Sequence, residues 1–398
     1  MEEIESVYDL VLIGGGPAGS AAGRAAGKRG LRTLVLEKER FPRYKPCAGA
    51  LSERAIAFLD FPIPERIREK DIFGTRVCYN NRVMETNAFH RFAVTVTRSA
   101  LDEYLLMKAA EAGAEIRMDE KVLDLREHAS YVEVRTEETL YRAKYVVITE
   151  GAQGKLKRVV RPPDSKDRCA LSIVTEIEAE NGEVDRRLPG LLEFHIDPVR
   201  MGYYWIFPHD GYYSIGIWGF SRYLHDSKRL MKEFMIKNGF TSDYRLQGRL
   251  VPVGGRRRKV ASSRIALAGD AAGYVEPFTG EGIAYAIRSG QIAADTIANI
   301  VTDGSVQSRL GDYARSCEQI FARNFTYTLM MTRTIYRAPS FFFNLLAADR
   351  EARNAFVGAP AMKRQYLSYL VWLLPRLPKI LYSLSRHGND LFPGGNVS

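Results

Sequence analysis

Three glycines, Gly14, Gly16 and Gly19, stand in the G-x-G-x-x-G spacing between an apolar run, Leu10 to Ile13, and an alanine-rich stretch. The first can take a turn closed to L-residues, the second lets a pyrophosphate approach the main chain, and the third lets a helix lie close on a sheet. The helix N-terminus then faces the phosphates. Glu37 ends a second apolar run, Thr33 to Leu36, where a carboxylate accepts hydrogen bonds from an adenosine ribose and disfavours a 2′-phosphate. The chemistry expected here is dinucleotide binding, with FAD or NAD preferred to NADP.

Three further stretches carry reactive or shape-defining residues. The run Ile265 to Ala268 ends at Gly269-Asp270, and Pro277, Gly280 and Gly282 then precede a long helical pattern from about Ile283 to Ile300. Asp270 can hold a polyol such as ribityl, or cap a helix. The following helix N-terminus suits the negative charge that develops at N1 and the C2 carbonyl of a reduced flavin. Lys45-Pro46-Cys47-Ala48-Gly49-Ala50 puts a thiol on a constrained loop, where Cys47 either meets cofactor or substrate or is a small thiol that packs well. In Gly202 to Pro208 the period of two puts Tyr203, Trp205 and Phe207 on one face, as an aromatic wall for a cavity or flavin ring, or as ordinary sheet core.

Elements that would position these residues can be read along the chain. Tyr8 to Glu37 reads as strand, turn, helix and strand, and a helix capped by Ser52 follows. Residues 74–97 alternate like strands, so the chain leaves the nucleotide domain and returns at Arg98, where a helix runs to about Ala112. Three strand-like pieces, VLDLRE, YVEVRTEE and LYRAKYVVITEG, are expected to cover one face of the parallel sheet. Residues 170–220 hold four β-branched and aromatic runs, a second and largely antiparallel sheet, and 224–238 form a basic amphipathic helix. The expected architecture is α/β: a Rossmann-type FAD-binding domain, a second antiparallel β-sheet substrate domain and a helical C-terminal region. The first is discontinuous (1–75, 96–165 and 255–315), the second takes 76–95 and 166–254, and the third 316–398.

Composition bounds the partners. The 398 residues, 46% hydrophobic and 26% charged, can bury a large core. A net charge of +10 suits phosphorylated cofactors or acidic lipid headgroups. No Lys/Arg cluster interleaves with aromatics, so nucleic acid is set aside. Cys47, Cys78, Cys169 and Cys317 show no C-x-x-C pair and no metal-ligand spacing, which fits reduced thiols in a cytosolic protein without a metal. The acidic start, MEEIES, is opposite to the n-region of a signal peptide. Near the C-terminus, Tyr366 to Leu374 is apolar but too short to span a bilayer before Pro375. It fits an interfacial helix anchored by Trp372, or a helical cap on the substrate domain.

Taken together, Gly14/Gly16/Gly19 with Glu37, Arg98 with Asp102, and Gly269-Asp270 with Pro277 resemble the flavoprotein hydroxylase fold, the group that includes para-hydroxybenzoate hydroxylase. Within it, the KPCAGAL and GYYWIFP segments resemble the geranylgeranyl reductases, which saturate isoprenoid double bonds; the likeness covers roughly residues 5–310. The resemblance implies FAD, with Arg98 and Asp102 near its phosphates and ribityl chain and Asp270 on the ribityl chain. Ala48, Gly269, Gly280 and Gly282 would line the cofactor, while Cys47, Tyr203 and Trp205 would lie around the isoalloxazine and a prenyl channel. Cys47 is then either the proton source or a residue that shapes the flavin face. One departure is Glu150-Gly151, where related hydroxylases carry Asp-Gly. The implied activity is FAD-dependent saturation of geranylgeranyl chains, on a prenylated lipid or prenyl diphosphate, in a monomer peripheral to the cytoplasmic membrane. Electrons would come from transiently docked NAD(P)H, or from ferredoxin or another carrier. Alternatives are an aromatic hydroxylase or halogenase of the same fold, or a non-catalytic prenyl-lipid binding flavoprotein.

Overall fold

The computed structural model describes residues 7–87, 90–180, 182–196, 199–240, 244–303, 309–358 and 366–387; the MEEIES stretch lies outside them. The chain divides into two compact units, residues 1–45, 98–169 and 250–325 in the first, and 46–97, 170–249 and 326–398 in the second.

In the first unit, Glu115–Arg117, Thr33–Leu36, Tyr8–Ile13, Leu140–Ile148 and Ile265–Leu267 run parallel in that order. Leu10, Leu12, Leu34 and Leu36 are fully buried, as near-continuous apolar runs must be when both faces of a parallel sheet are covered. The strands Val132–Arg135 and Asp124–Glu127 continue the sheet antiparallel from the edge of Leu140–Ile148, which corrects the expectation that this meander covers a face. Nine residues allow Leu140–Ile148 to serve two partners on one edge: its first half pairs with Val132–Arg135, its last three residues with Ile265–Leu267.

Three helices, Pro17–Lys28, Arg98–Glu111 and Ile283–Asp303, accompany this sheet, and glycine sets how closely they approach. A Cβ on Gly290 would sit 2.1 Å from the Ala18 carbonyl oxygen, and one on Gly27 would sit 2.3 Å from that of Ala112. Any side chain at either position forces the helices apart.

The second unit carries a seven-stranded sheet in the order Gln247–Pro252, Cys169–Glu178, Tyr212–Phe220, Gly202–Pro208, Leu191–His195, Gly74–Tyr79 and Arg82–Asn87. The registered neighbours are antiparallel except Leu191–His195 with Gly74–Tyr79, which are parallel. A small sheet places Ala93–Thr95 between Ala50–Ser52 and Lys70–Ile72. The helix Glu53–Ala57 is capped as expected, the Ser52 hydroxyl accepting from the Ala55 N–H.

One face of the large sheet packs under the helix Ser227–Lys237 through Tyr204, Ile206, Ile215, Ile217, Phe234 and Met235. C-terminal helices cover the hairpin Gly74–Tyr79/Arg82–Asn87. Phe343, from helix Pro339–Ala348, meets Tyr79 at 5.5 Å between centroids, and Asn344 Oδ1 accepts from Arg82 Nη1 at 2.7 Å. Leu345, Ala352, Tyr369, Leu373 and Ile380 form the core of that helical region. No helix among the described residues is long and apolar enough to cross a membrane.

Candidate functional site

The strand Tyr8–Ile13, flanked on both sides, delivers the chain to the glycine turn. Gly14 has φ +108°, and a Cβ there would stand 2.7 Å from the Thr149 carbonyl oxygen. At Gly19 a Cβ would lie 1.9 Å from the Gly14 oxygen, so only glycine lets the helix start there. Gly16 differs: the nearest atom to its Cβ would be Arg43 Nη2, 3.8 Å away. Gly16 is also the N-cap of helix Pro17–Lys28 and gives it no side-chain cap, which leaves first-turn N–H groups available to an acceptor. Glu37 is buried and its Oε2 accepts from the Gly15 N–H at 2.7 Å, joining the end of the second strand to the turn. Thr149 Oγ1 donates to the Ile13 and Gly14 carbonyls, both at 2.8 Å, and steadies the turn from the end of Leu140–Ile148.

Beside this turn lies a cationic cluster that the sequence indicated only in part. Arg98 grips the fully buried Asp102 with two bonds of 2.8 Å. Arg43 Nη2 approaches the same carboxylate at 3.0 Å, and Arg43 Nε pairs with Glu39 at 3.1 Å. Burial pushes the Asp102 carboxyl up, but Arg98, with Arg43 and Lys45 behind it, outweighs that and holds it below the usual carboxylate range. Lys45 is driven below the usual amine range, first by burial and then by the charge of Arg98. Arg43 Nη1 is buried and finds no hydrogen-bond partner among the described residues. A buried guanidinium with an idle donor, beside an open helix N-terminus, suits a phosphate oxygen. Sequence reading missed Arg43; its signal was the basic spacing Arg40, Arg43, Lys45 in the loop after Glu37.

The second glycine junction belongs to the same unit. Gly269 has φ +60°, its N–H bonds to Ser289 Oγ at 2.9 Å, and a Cβ on it would touch Ala18 and Ala286, so it sits beside the first helix. Asp270 makes no side-chain hydrogen bond among the described residues, and its charge is felt at Lys45. Gly280 has φ +72°, and a Cβ on Gly282 would lie 3.2 Å from Asp270 Oδ1. Glu276 ties the turn by accepting from the Phe278 and Thr279 N–H groups, and burial raises its carboxyl above the ordinary value. At the departure from the hydroxylase pattern, Glu150 Oε2 accepts from the Leu156 N–H at 3.0 Å and its carboxyl is raised by burial. Gly151 has φ +79° beside Lys45 Nζ.

In the second unit, Tyr203, Trp205 and Phe207 share a face with Phe194, which meets Tyr203 and Phe207 edge-on at 5.4 and 5.2 Å. Trp218, paired in register with Tyr203, joins that face, and Gly216 makes room for the Trp205 indole, 2.2 Å from where a Cβ would be. Cys47 is half-buried and its thiol makes no hydrogen bond among the described residues. Ala48 gives its carbonyl to His209 Nε2 at 3.1 Å, a contact the sequence did not announce. The parallel pairing also gathers Cys78, Glu193 and His195, with possible ligand atoms all within 4.8 Å of one another. That carboxylate is committed to Arg76 and His195, and burial pushes the Cys78 thiol up to about 12.

Residues 7–179 match the FAD binding domain family. An uncharacterized protein of Methanosarcina barkeri is 32% identical over 304 residues, covering 75% of this chain and 76% of its own. The digeranylgeranylglycerophospholipid reductase of Methanocaldococcus jannaschii is 26% identical over 359 residues, 85% of this chain and 88% of that one. The chain belongs to the geranylgeranyl reductase family. A geranylgeranyl bacteriochlorophyll reductase-like protein of Thermoplasma acidophilum shares the fold, with a TM-score of 0.78 at 21% identity over 97% of this chain and 100% of that one. Members of this family are FAD-dependent oxidoreductases, and FAD is the cofactor here. The residues fit it: Gly16 opens a cradle that a side chain would fill, and the guanidinium of Arg43, with one buried donor idle, lies beside that cradle.

Proposed function

We propose that the protein saturates carbon–carbon double bonds of geranylgeranyl chains in membrane lipid biosynthesis. The observation that carries this reading is the aromatic face of the second unit, Phe194, Tyr203, Trp205, Phe207 and Trp218, on a sheet whose neighbouring hairpin is roofed by Phe343. Such a surface favours a long apolar chain over a small polar substrate.

Bound and reduced, FAD supplies the hydride. An isolated trisubstituted alkene accepts hydride poorly unless a proton reaches the other carbon, so a residue must provide one. Cys47 fills that role in this reading, because its thiol is uncommitted and half-buried. Tyr203 and Trp205 orient the prenyl chain. Gly14, Gly16, Gly19, Arg43, Lys45 and Arg98 receive the pyrophosphate, Asp102 fixes those cations, and Glu37 takes the ribose. Asp270 holds the ribityl chain, with Ala48, Gly269, Gly280 and Gly282 admitting the cofactor closely. Electrons come from NAD(P)H or a ferredoxin-like carrier. Val371, Leu374 and Tyr382 are about 60% exposed near Lys379, a surface that supports peripheral docking on the cytoplasmic membrane.

The test reduces FAD-loaded enzyme with dithionite under strict exclusion of oxygen and adds geranylgeranyl-bearing lipid. A gain of two mass units per double bond with matching flavin reoxidation is expected. Oxygen-dependent gain of sixteen on an aromatic compound, with no lipid product, would instead make it a hydroxylase of the same fold. Cys47→Ser is expected to lose turnover by about a hundredfold or more while retaining FAD; full turnover would remove the proton-donor role.

A further inference from the structure

His209 follows the strand Gly202–Pro208 that carries the aromatic residues, and its ring is 2% exposed. Its Nδ1 meets Glu69 Oε2 and its Nε2 meets the Ala48 carbonyl at 3.1 Å. A carbonyl oxygen can only accept, so Nε2 carries a hydrogen where it meets Ala48, and Nδ1 faces the Glu69 carboxylate. The ring is fixed from behind by Tyr212, stacked at 4.5 Å and 17°, and by the His209 N–H to the Tyr212 carbonyl.

What the ring holds is the turn that bears Cys47. Gly49 has φ +76°, and a Cβ there would lie 2.5 Å from His209 Cε1, so glycine is required for the ring to lie against the turn. The Gly49 carbonyl accepts from the Val96 N–H at 2.9 Å, and the Glu69 N–H bonds to the Thr95 carbonyl at the same distance. Glu69 and Gly49 each precede an outer strand of the three-stranded sheet, while His209 comes from the large sheet. One imidazole therefore links both sheets of this unit to the backbone one residue beyond Cys47.

We propose that His209 and Glu69 are a positioning pair that clamps the Pro46–Gly49 turn and thereby fixes where Cys47 presents its thiol. The proposal rests on the reading of Cys47 as proton donor given above, and its test separates the two. His209→Ala, His209→Gln and Glu69→Gln are compared as FAD-loaded enzymes, with iodoacetamide labelling of Cys47 followed by peptide mass spectrometry and with kcat and KM on geranylgeranyl lipid. For His209→Ala, Cys47 labelling is expected to change about tenfold and kcat to fall about tenfold to a hundredfold, with KM within about twofold. His209→Gln, which keeps an N–H donor for the Ala48 carbonyl, is expected to recover most of both. Unchanged Cys47 labelling overturns the clamp, whatever happens to kcat. Changed labelling with unchanged kcat supports the clamp and overturns the donor role of Cys47. Should His209→Ala fail to fold, labelling in the other two variants decides.

Discussion

Gly16 and Gly19 belong to one glycine motif for different reasons, and the difference is measurable. Gly19→Ala drives a methyl into the Gly14 carbonyl and should destabilise the protein by about 1–3 kcal/mol or more, seen as a lower thermal midpoint even without flavin. Gly16→Ala meets open space, so the apoprotein should unfold within about 0.5 kcal/mol of wild type while FAD retention falls. Asp102 is a third kind of residue, an anion enclosed by cations. Asp102→Asn removes the buried charge that Arg98 and Arg43 share and should cost about 3–5 kcal/mol in denaturant unfolding. Its pH dependence follows from the sign of the shift. The folded-state value lies below the unfolded one near 3.9, so the stabilisation is complete above that pH and is lost as pH falls through the depressed value. At this scale the glycine turn and Glu37 were legible because fixed spacing expresses their geometry, while Arg98 and Asp102 were marked only by the family resemblance. Arg43 and His209 were not, because a basic loop residue and a histidine after a strand show no partner until the backbone closes.

Turns that carry chemistry need bracing by neighbouring elements, and the Gly269–Gly273 turn is braced by buried charge. Arg161 Nη2 donates to the Ala271 carbonyl, Arg258 packs on Gly273, and Asp164 pairs with both arginines at 2.7–2.8 Å. Burial raises the Asp164 carboxyl, but hydrogen bonds from Arg161 and Arg258 outweigh it and the net shift is downward. Asp164→Asn should raise amide hydrogen exchange across residues 269–273 by about tenfold while the helix Pro17–Lys28 keeps its protection; equal loosening of both would show a global effect instead. Strands such as Tyr212–Phe220 and the helix from Arg98 follow from periodicity and capping, signals written within a few residues. The parallel partnership of Leu191–His195 with Gly74–Tyr79 joins segments far apart in sequence, so Cys78 beside His195 had no local signature. The meander was misplaced for a related reason, since period two fixes a strand's faces but not which edge it joins.

For the whole molecule, FAD binding adds to folding stability by mass action. At a hundredfold excess over Kd the gain is about 2.7 kcal/mol, so titrating FAD into apoprotein should raise the thermal midpoint progressively, by roughly 3 °C. A midpoint independent of FAD would place the cofactor outside the folded structure described here. The exposed Val371, Leu374 and Tyr382 near Lys379 lead to a second outcome: flotation with anionic vesicles that weakens with salt and is reduced by Leu374→Glu with Val371→Glu. Equal binding to neutral vesicles would show that apolar contact alone suffices.

The order of strands also bears on how the protein is made. Tyr8–Ile13 is made well before its partner Leu140–Ile148, and the edge strand Ile265–Leu267 comes later still. Helix Pro17–Lys28 meets the backbone at Ala112 first and Gly290 only much later in the chain. A growing chain therefore makes its first glycine turn long before the strand and helix that flank it, and its earliest apolar strands must be kept from straying until those later segments are made. Cells short of chaperone capacity should accumulate this protein as insoluble, flavin-free chains before any loss of its messenger.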